Sequence, residues 1–84
     1  MPNSLYVGNL SYQMTDDELA QVFSGIGPVK SAKIVRDRVS GRSRGFGFVE
    51  FDSPDLVKKG LELNNQEIKG RKIFVSEARE KAGP

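Results

Sequence analysis

The eight residues Arg44–Phe51, RGFGFVEF, alternate two aromatic rings, Phe46 and Phe48, with the glycines Gly45 and Gly47. In an extended segment, side chains two residues apart point to the same side. Such a run therefore presents two flat rings on one face. Flat rings hold other flat π systems, and an unstacked nucleobase is the commonest of these. Cations stand close by. Between positions 30 and 44 lie Lys30, Lys33, Arg36, Arg38, Arg42 and Arg44, opposed only by Asp37. That segment carries +5 in a chain whose net charge is +2, so the remainder sums to −3. A local basic patch on a near-neutral chain suits a polyanion held at one place.

The same residues argue against catalysis. The chain has no histidine and no cysteine. The commonest general base, the commonest metal ligand and any thiolate site are thereby missing. GFGFVE places Glu50 where a dinucleotide fingerprint needs its last glycine, and no phosphate-cradling loop motif occurs. Asp16, Asp17 and Glu18 read as acids at a helix N-terminus, where the helix dipole favours them. No catalytic residue, metal site or cofactor is expected.

Eighty-four residues make one small domain, with a folded core over about 4–79 and a short charged tail at 80–84. No apolar run approaches the roughly 18 residues of a membrane span, and no signal-peptide pattern opens the chain. The lack of cysteine points to an intracellular protein, with cytoplasm and nucleus both open. The chain reads as a whole small protein acting as a monomer.

The aromatics need elements to position them. SLYVGNL (4–10) alternates and is rich in strand formers. Thr15 and Glu18 form a capping box ahead of Leu19, Val22, Phe23 and Ile26 at helical spacing, with Gly25 or Gly27 as the stop. VKSAKIVRD (29–37) is a second strand, with Ala32 and Ile34 inward and Lys33 outward. RVSGRS is a basic loop, and 44–51 is a third strand. Ser53 caps a second helix with Pro54 at its first position. Gly60 lies inside that helix, at a cost of roughly 1 kcal/mol against alanine, and lets the helix sit close to the sheet. A short β piece is expected at Glu67-Ile68. KIFVSEA (72–78) is the last strand, with Ile73 and Val75 inward and Phe74 and Ser76 outward. The order βαββαβ is the split βαβ, ferredoxin-like α+β plan: a four-stranded antiparallel sheet with two helices on one face.

The other face is then open. Val49 and Phe51 share the covered side with Gly45 and Gly47, which relax bulk there. Phe46 and Phe48 point away from the helices, and Tyr6 on the first strand joins them if the first and third strands pair centrally. Exposed adjacent aromatics are costly unless a ligand covers them.

At this point the residues carry a resemblance. RGFGFVEF matches, at every position, the octamer (K/R)-G-(F/Y)-(G/A)-F-V-x-(F/Y) of the RNA recognition motif family. LYVGNL resembles the companion hexamer of that family, and the resemblance covers residues 4–79. It implies that Tyr6 and Phe48 each stack on a base, that Phe46 packs against sugars, and that Arg44 meets a phosphate. Lys33 and Arg42 extend the cationic path, and the segment Glu77 to Arg79 reads base edges. Phe74 departs from the pattern, standing where polar residues are common; it either widens the platform or docks the tail. The implied ligand is single-stranded RNA of two to four nucleotides, with single-stranded DNA held more weakly. The alternative is a protein-interaction module using the helix face or a covered sheet. Retention of all three aromatics and of Arg44 favours RNA.

Overall fold

The computed structural model describes residues 3–78. The elements run β1 (Ser4–Gly8), α1 (Asp16–Ser24), β2 (Val29–Arg36), β3 (Ser43–Phe51), α2 (Pro54–Gly60), a 3₁₀ turn (Leu61–Leu63), β4 (Glu67–Ile68), β5 (Arg71–Lys72) and β6 (Phe74–Ala78). The main sheet has the order β2-β3-β1-β6, and each neighbouring pair is antiparallel. This is the expected ferredoxin-like plan, with β1 and β3 in the centre. No helix among the described residues is long and apolar enough to cross a membrane.

Local chemistry explains the helix starts. Thr15 Oγ1 accepts from the Glu18 N–H at 3.2 Å, and Glu18 Oε1 accepts from the Thr15 N–H at 3.1 Å. These bonds satisfy two donors that a helix N-terminus otherwise orphans. The bond from the Thr15 N–H also holds the Glu18 carboxyl below its ordinary range, with help from the Lys69 ammonium. Asp16 does more than complement the dipole: its Oδ1 accepts from the Ile34 N–H at 2.8 Å and ties α1 to β2. Ser53 caps α2 through the Leu56 N–H.

Leu5, Val7, Leu19, Phe23, Ile34, Val49, Phe51, Val57, Ile73 and Val75 form the core between sheet and helices. Phe23 and Phe51 meet edge to face at its centre, with centroids 6.3 Å apart. Gly60 lies against this core. A Cβ there would run into the Leu5 side chain, with Phe51 and Phe23 next in line. The glycine therefore lets α2 approach the sheet, and packing outweighs its poor helix propensity.

Three expected boundaries shift. β1 ends at Gly8 because Asn9 turns into the left-handed region (φ 58°). There its side chain donates to the Lys72 carbonyl at 2.6 Å and accepts from Arg71 Nη2 at 2.7 Å. The second helix tightens into the 3₁₀ turn after Gly60. The last strand divides at Ile73: its N–H donates to the Gln66 carbonyl and its own carbonyl accepts from the Asn65 N–H, so its backbone faces the connecting loop. Arg71–Lys72 therefore pairs with Glu67–Ile68, and only Phe74–Ala78 joins β1.

Candidate nucleic-acid interface

The uncovered face of the sheet is organised in cross-strand rows. Lys33 of β2 stands opposite Phe48 of β3, Phe48 opposite Tyr6 of β1, and Tyr6 opposite Ser76 of β6. Residues paired in this way bring their side chains together on one face. Tyr6 meets Phe48 at a centroid distance of 5.9 Å and Phe46 at 5.6 Å, while Phe46 and Phe48 lie 6.3 Å apart and nearly perpendicular at 88°. All three rings thus touch one another. Phe48 remains 41% exposed, and Tyr6 and Phe46 are half-buried. Val49 and Phe51, their alternates on β3, are buried.

Two glycines set this cluster. A Cβ on Gly8 would come within 2.8 Å of the Tyr6 hydroxyl and 3.0 Å of its ring, so the bare backbone of Gly8 is the floor on which Tyr6 lies. Gly47 faces the core: a Cβ there would meet the Lys33 carbonyl and the Leu19 side chain. Gly45 does not share that face. Its φ is +85°, and the β2–β3 register shifts between Ile34 and Arg36, so strict alternation breaks at this point. The direction a Cβ would take from Gly45 is filled by the Tyr12 ring.

Charge grades along β3. At one end the Glu50 carboxylate accepts from Ser31 Oγ at 3.2 Å and lies 3.9 Å from Lys30 Nζ. At the other end Arg44 leads into the basic hairpin. That hairpin is ordered by Asp37, whose Oδ2 accepts from the Ser40 hydroxyl (2.9 Å) and N–H (3.2 Å); these bonds hold its carboxyl below the ordinary range. Gly41 closes the turn at φ +76°. Among the described residues, Lys33, Arg42 and Arg44 make no ion pair. An anion lying along β3 is therefore favoured toward the hairpin end.

Of the residues singled out from sequence, Tyr6, Phe46, Phe48 and Lys33 share one patch. Arg42 and Arg44 flank it at the start of β3 and are exposed. Phe74 is 54% exposed and pairs with Gly8, the floor residue beneath Tyr6. Among the described residues it makes no ring contact with the other three. Arg79 lies outside the described residues. Sequence reasoning passed over Tyr12, which is 71% exposed. The signal was an aromatic set between the polar Ser11 and Gln13 in the segment after β1.

The chain belongs to the RNA recognition motif family, whose model matches residues 5–73. It is 49% identical over 80 residues to Small RNA-binding protein 11, chloroplastic, of Arabidopsis thaliana, covering 94% of this chain and 55% of that protein. It is equally 49% identical to the chloroplastic 29 kDa ribonucleoprotein B of Nicotiana sylvestris, covering 94% of this chain and 28% of the relative. The chain thus spans about half, or less, of the lengths of these relatives. Among solved structures it resembles the RNA binding protein PG1 (TM-score 0.88, 42% identity, 95% of this chain and 98% of that one). It also resembles the protein in an Sxl-lethal protein/RNA complex (TM-score 0.89, 34% identity, 98% of this chain and 50% of that one).

Proposed function

We propose that this chain binds single-stranded RNA across its uncovered sheet face. The carrying observation is the mutual contact of Tyr6, Phe46 and Phe48 on the side of the sheet that the helices leave open. Tyr6 and Phe48 each stack a base, and Phe46 packs against the intervening sugars. Arg44, Lys33 and Arg42 neutralise phosphates. Phe74 offers a further apolar surface beside Gly8, and Arg79, which lies outside the described residues, is assigned to the RNA by its cationic side chain alone. The platform takes two to four nucleotides, and single-stranded DNA binds the same surface more weakly. Binding, with no cofactor and no chemical step, is the whole activity.

The family match supports this reading, as do relatives named as RNA-binding proteins and ribonucleoproteins. The relatives named as chloroplastic support an intracellular place of action. The domain acts as a monomer in RNA processing or regulation.

An amide NMR titration with a short random-sequence RNA tests the proposal. Shifts concentrated at Tyr6, Phe46, Phe48, their strand neighbours and residues 36–44 are expected. A sheet whose amides do not move at millimolar RNA would sink it and turn attention to a protein partner on the helix face.

A further inference from the structure

Four residues stand in one row across the whole sheet: Ile34 of β2 opposite Gly47 of β3, Gly47 opposite Val7 of β1, and Val7 opposite Val75 of β6. β2 and β6 are the outer strands, so this row begins and ends at an edge of the sheet. An N–H that points out from an edge is a template for pairing with a further strand. Neither end of this row is left in that state. The Ile34 N–H donates to Asp16 Oδ1 at 2.8 Å, and the Val75 N–H donates to Asn64 Oδ1 at 2.9 Å. Both bonds are partly buried. Asp16 is the first residue of α1, and Asn64 follows the 3₁₀ turn after α2. Each helical segment thus sends one side-chain oxygen to the place that the carbonyl of an added strand would take.

The two edges differ in what else protects them. β2 carries the exposed cations Lys30, Lys33 and Arg36. A second β2 laid against it would crowd like charges, which disfavours pairing. β6, with the sequence FVSEA, carries the single charge of Glu77, and its Phe74 is 54% exposed. Two β6 strands related by a two-fold axis through Ser76 would set Val75 against Glu77 and Phe74 against Ala78. No like charges meet in that register, and the large ring meets a small side chain. Val75 and Glu77 are two residues apart, so their backbone groups point to the same edge and could exchange both hydrogen bonds with the other copy. The first donor that this pairing needs is the Val75 N–H, which Asn64 occupies.

We infer that Asn64 closes the β6 edge to strand addition, and that the strand it excludes is β6 of a second copy of this chain. Asp16 is the counterpart at the other end of the row, where the cations of β2 already oppose pairing. The inference concerns the edge of the sheet and is independent of the RNA reading of its face.

Light-scattering mass and amide hydrogen exchange, each followed from micromolar to millimolar protein, test it together. Wild type is expected to stay a monomer throughout, with the Val75 and Ile34 amides protected although both lie on outer strands. Asn64→Ala is expected to double in mass as concentration rises. Its Val75 amide loses protection when dilute and regains it in the dimer. Asn64→Asp retains Oδ1 and is expected to behave as wild type. Asp16→Ala is expected to lose protection at Ile34 and to remain a monomer. An Asn64→Ala variant that melts cooperatively yet stays a monomer at millimolar concentration overturns the inference, as does a dimer in which Val75 remains unprotected. A wild type that already doubles in mass with Val75 protected by concentration overturns it too. If Asn64→Ala does not fold, Asn64→Ser carries the same comparison, because its hydroxyl sits one bond closer to the backbone than Oδ1. Loss of the fold in both would make Asn64 a residue of the fold and not of the edge, and would overturn the inference as well.

Discussion

Tyr6 on β1 and Phe48 on β3 are direct cross-strand partners, and their rings meet at 63° on the face the helices do not cover. Two adjacent central strands thus each contribute one ring to a shared surface. Neither ring is held by the core beneath it, so the pair can lose a ring without losing the fold.

Phe48→Ala is therefore expected to weaken RNA binding by roughly 1–3 kcal/mol with little change in thermal stability. Fluorescence anisotropy with labelled RNA and a melting curve measure the two together. A collapse of the cooperative melt would mean that Phe48 is core and that the face assignment is wrong.

Gly8→Ala tests the floor beneath Tyr6. The added methyl would come too close to the Tyr6 hydroxyl and ring, and the ring is the part free to swing. Affinity is expected to fall by about 1 kcal/mol, at the lower end of one stacking contact, while the fold persists. An aromatic-proton NMR spectrum would report the displaced tyrosine. An unmoved Tyr6 with full affinity would contradict the geometry.

Gly60→Ala sets two effects against each other. Helix propensity alone favours alanine by about 1 kcal/mol. The new Cβ, however, collides with the buried Leu5 side chain, and overpacking of a dense core costs typically 1–3 kcal/mol. Net destabilisation is expected, read as a lower urea midpoint with an unchanged slope. A stabilised variant would show that α2 can lift off the sheet at no cost.

Salt dependence tests the cationic path. If about three phosphates are neutralised on the platform, the log–log slope of affinity against salt is about −2 for a single strand. The affinity itself is expected to be micromolar, roughly −7 to −8 kcal/mol. A flat salt dependence would remove Lys33, Arg42 and Arg44 from the interface.

The capping box predicts an acid limb of stability. The backbone N–H of Thr15 and the Lys69 ammonium favour the ionised form of Glu18 in the folded state. A carboxyl whose folded value is depressed contributes stability above its unfolded value, near pH 4, and loses it as pH falls through the folded value. Melting temperatures of wild type and Glu18→Gln are thus expected to converge below about pH 4. A gap that persists undiminished in acid would exclude the charge as its source.

Much of this was legible because period-two alternation is a local property. Leu5, Val7, Val49 and Phe51 sort inward, and Tyr6, Phe46 and Phe48 outward, on side-chain geometry alone. The Thr15–Glu18 box and the Ser53-Pro54 start were equally visible, since caps are made by residues three apart or fewer. Gly45 misled for the same reason: alternation assigns it to the core face, but a positive φ and a register shift release it from that rule. Position 73 could not be divided from its strand by pattern, because the bonds that turn its backbone come from Asn65 and Gln66.

The amino-acid sequence by itself determined the order of elements, the two faces of each strand and the kind of ligand the outward residues suit. Each of these follows from residue type at short spacing. Tertiary structure alone decided that Tyr12 lies on Gly45 and that Arg36 and Arg42 line one cleft with it. Those relations join segments more than 20 residues apart in most cases, and their geometry depends on strand register and on one left-handed glycine. Neither leaves a mark in local composition.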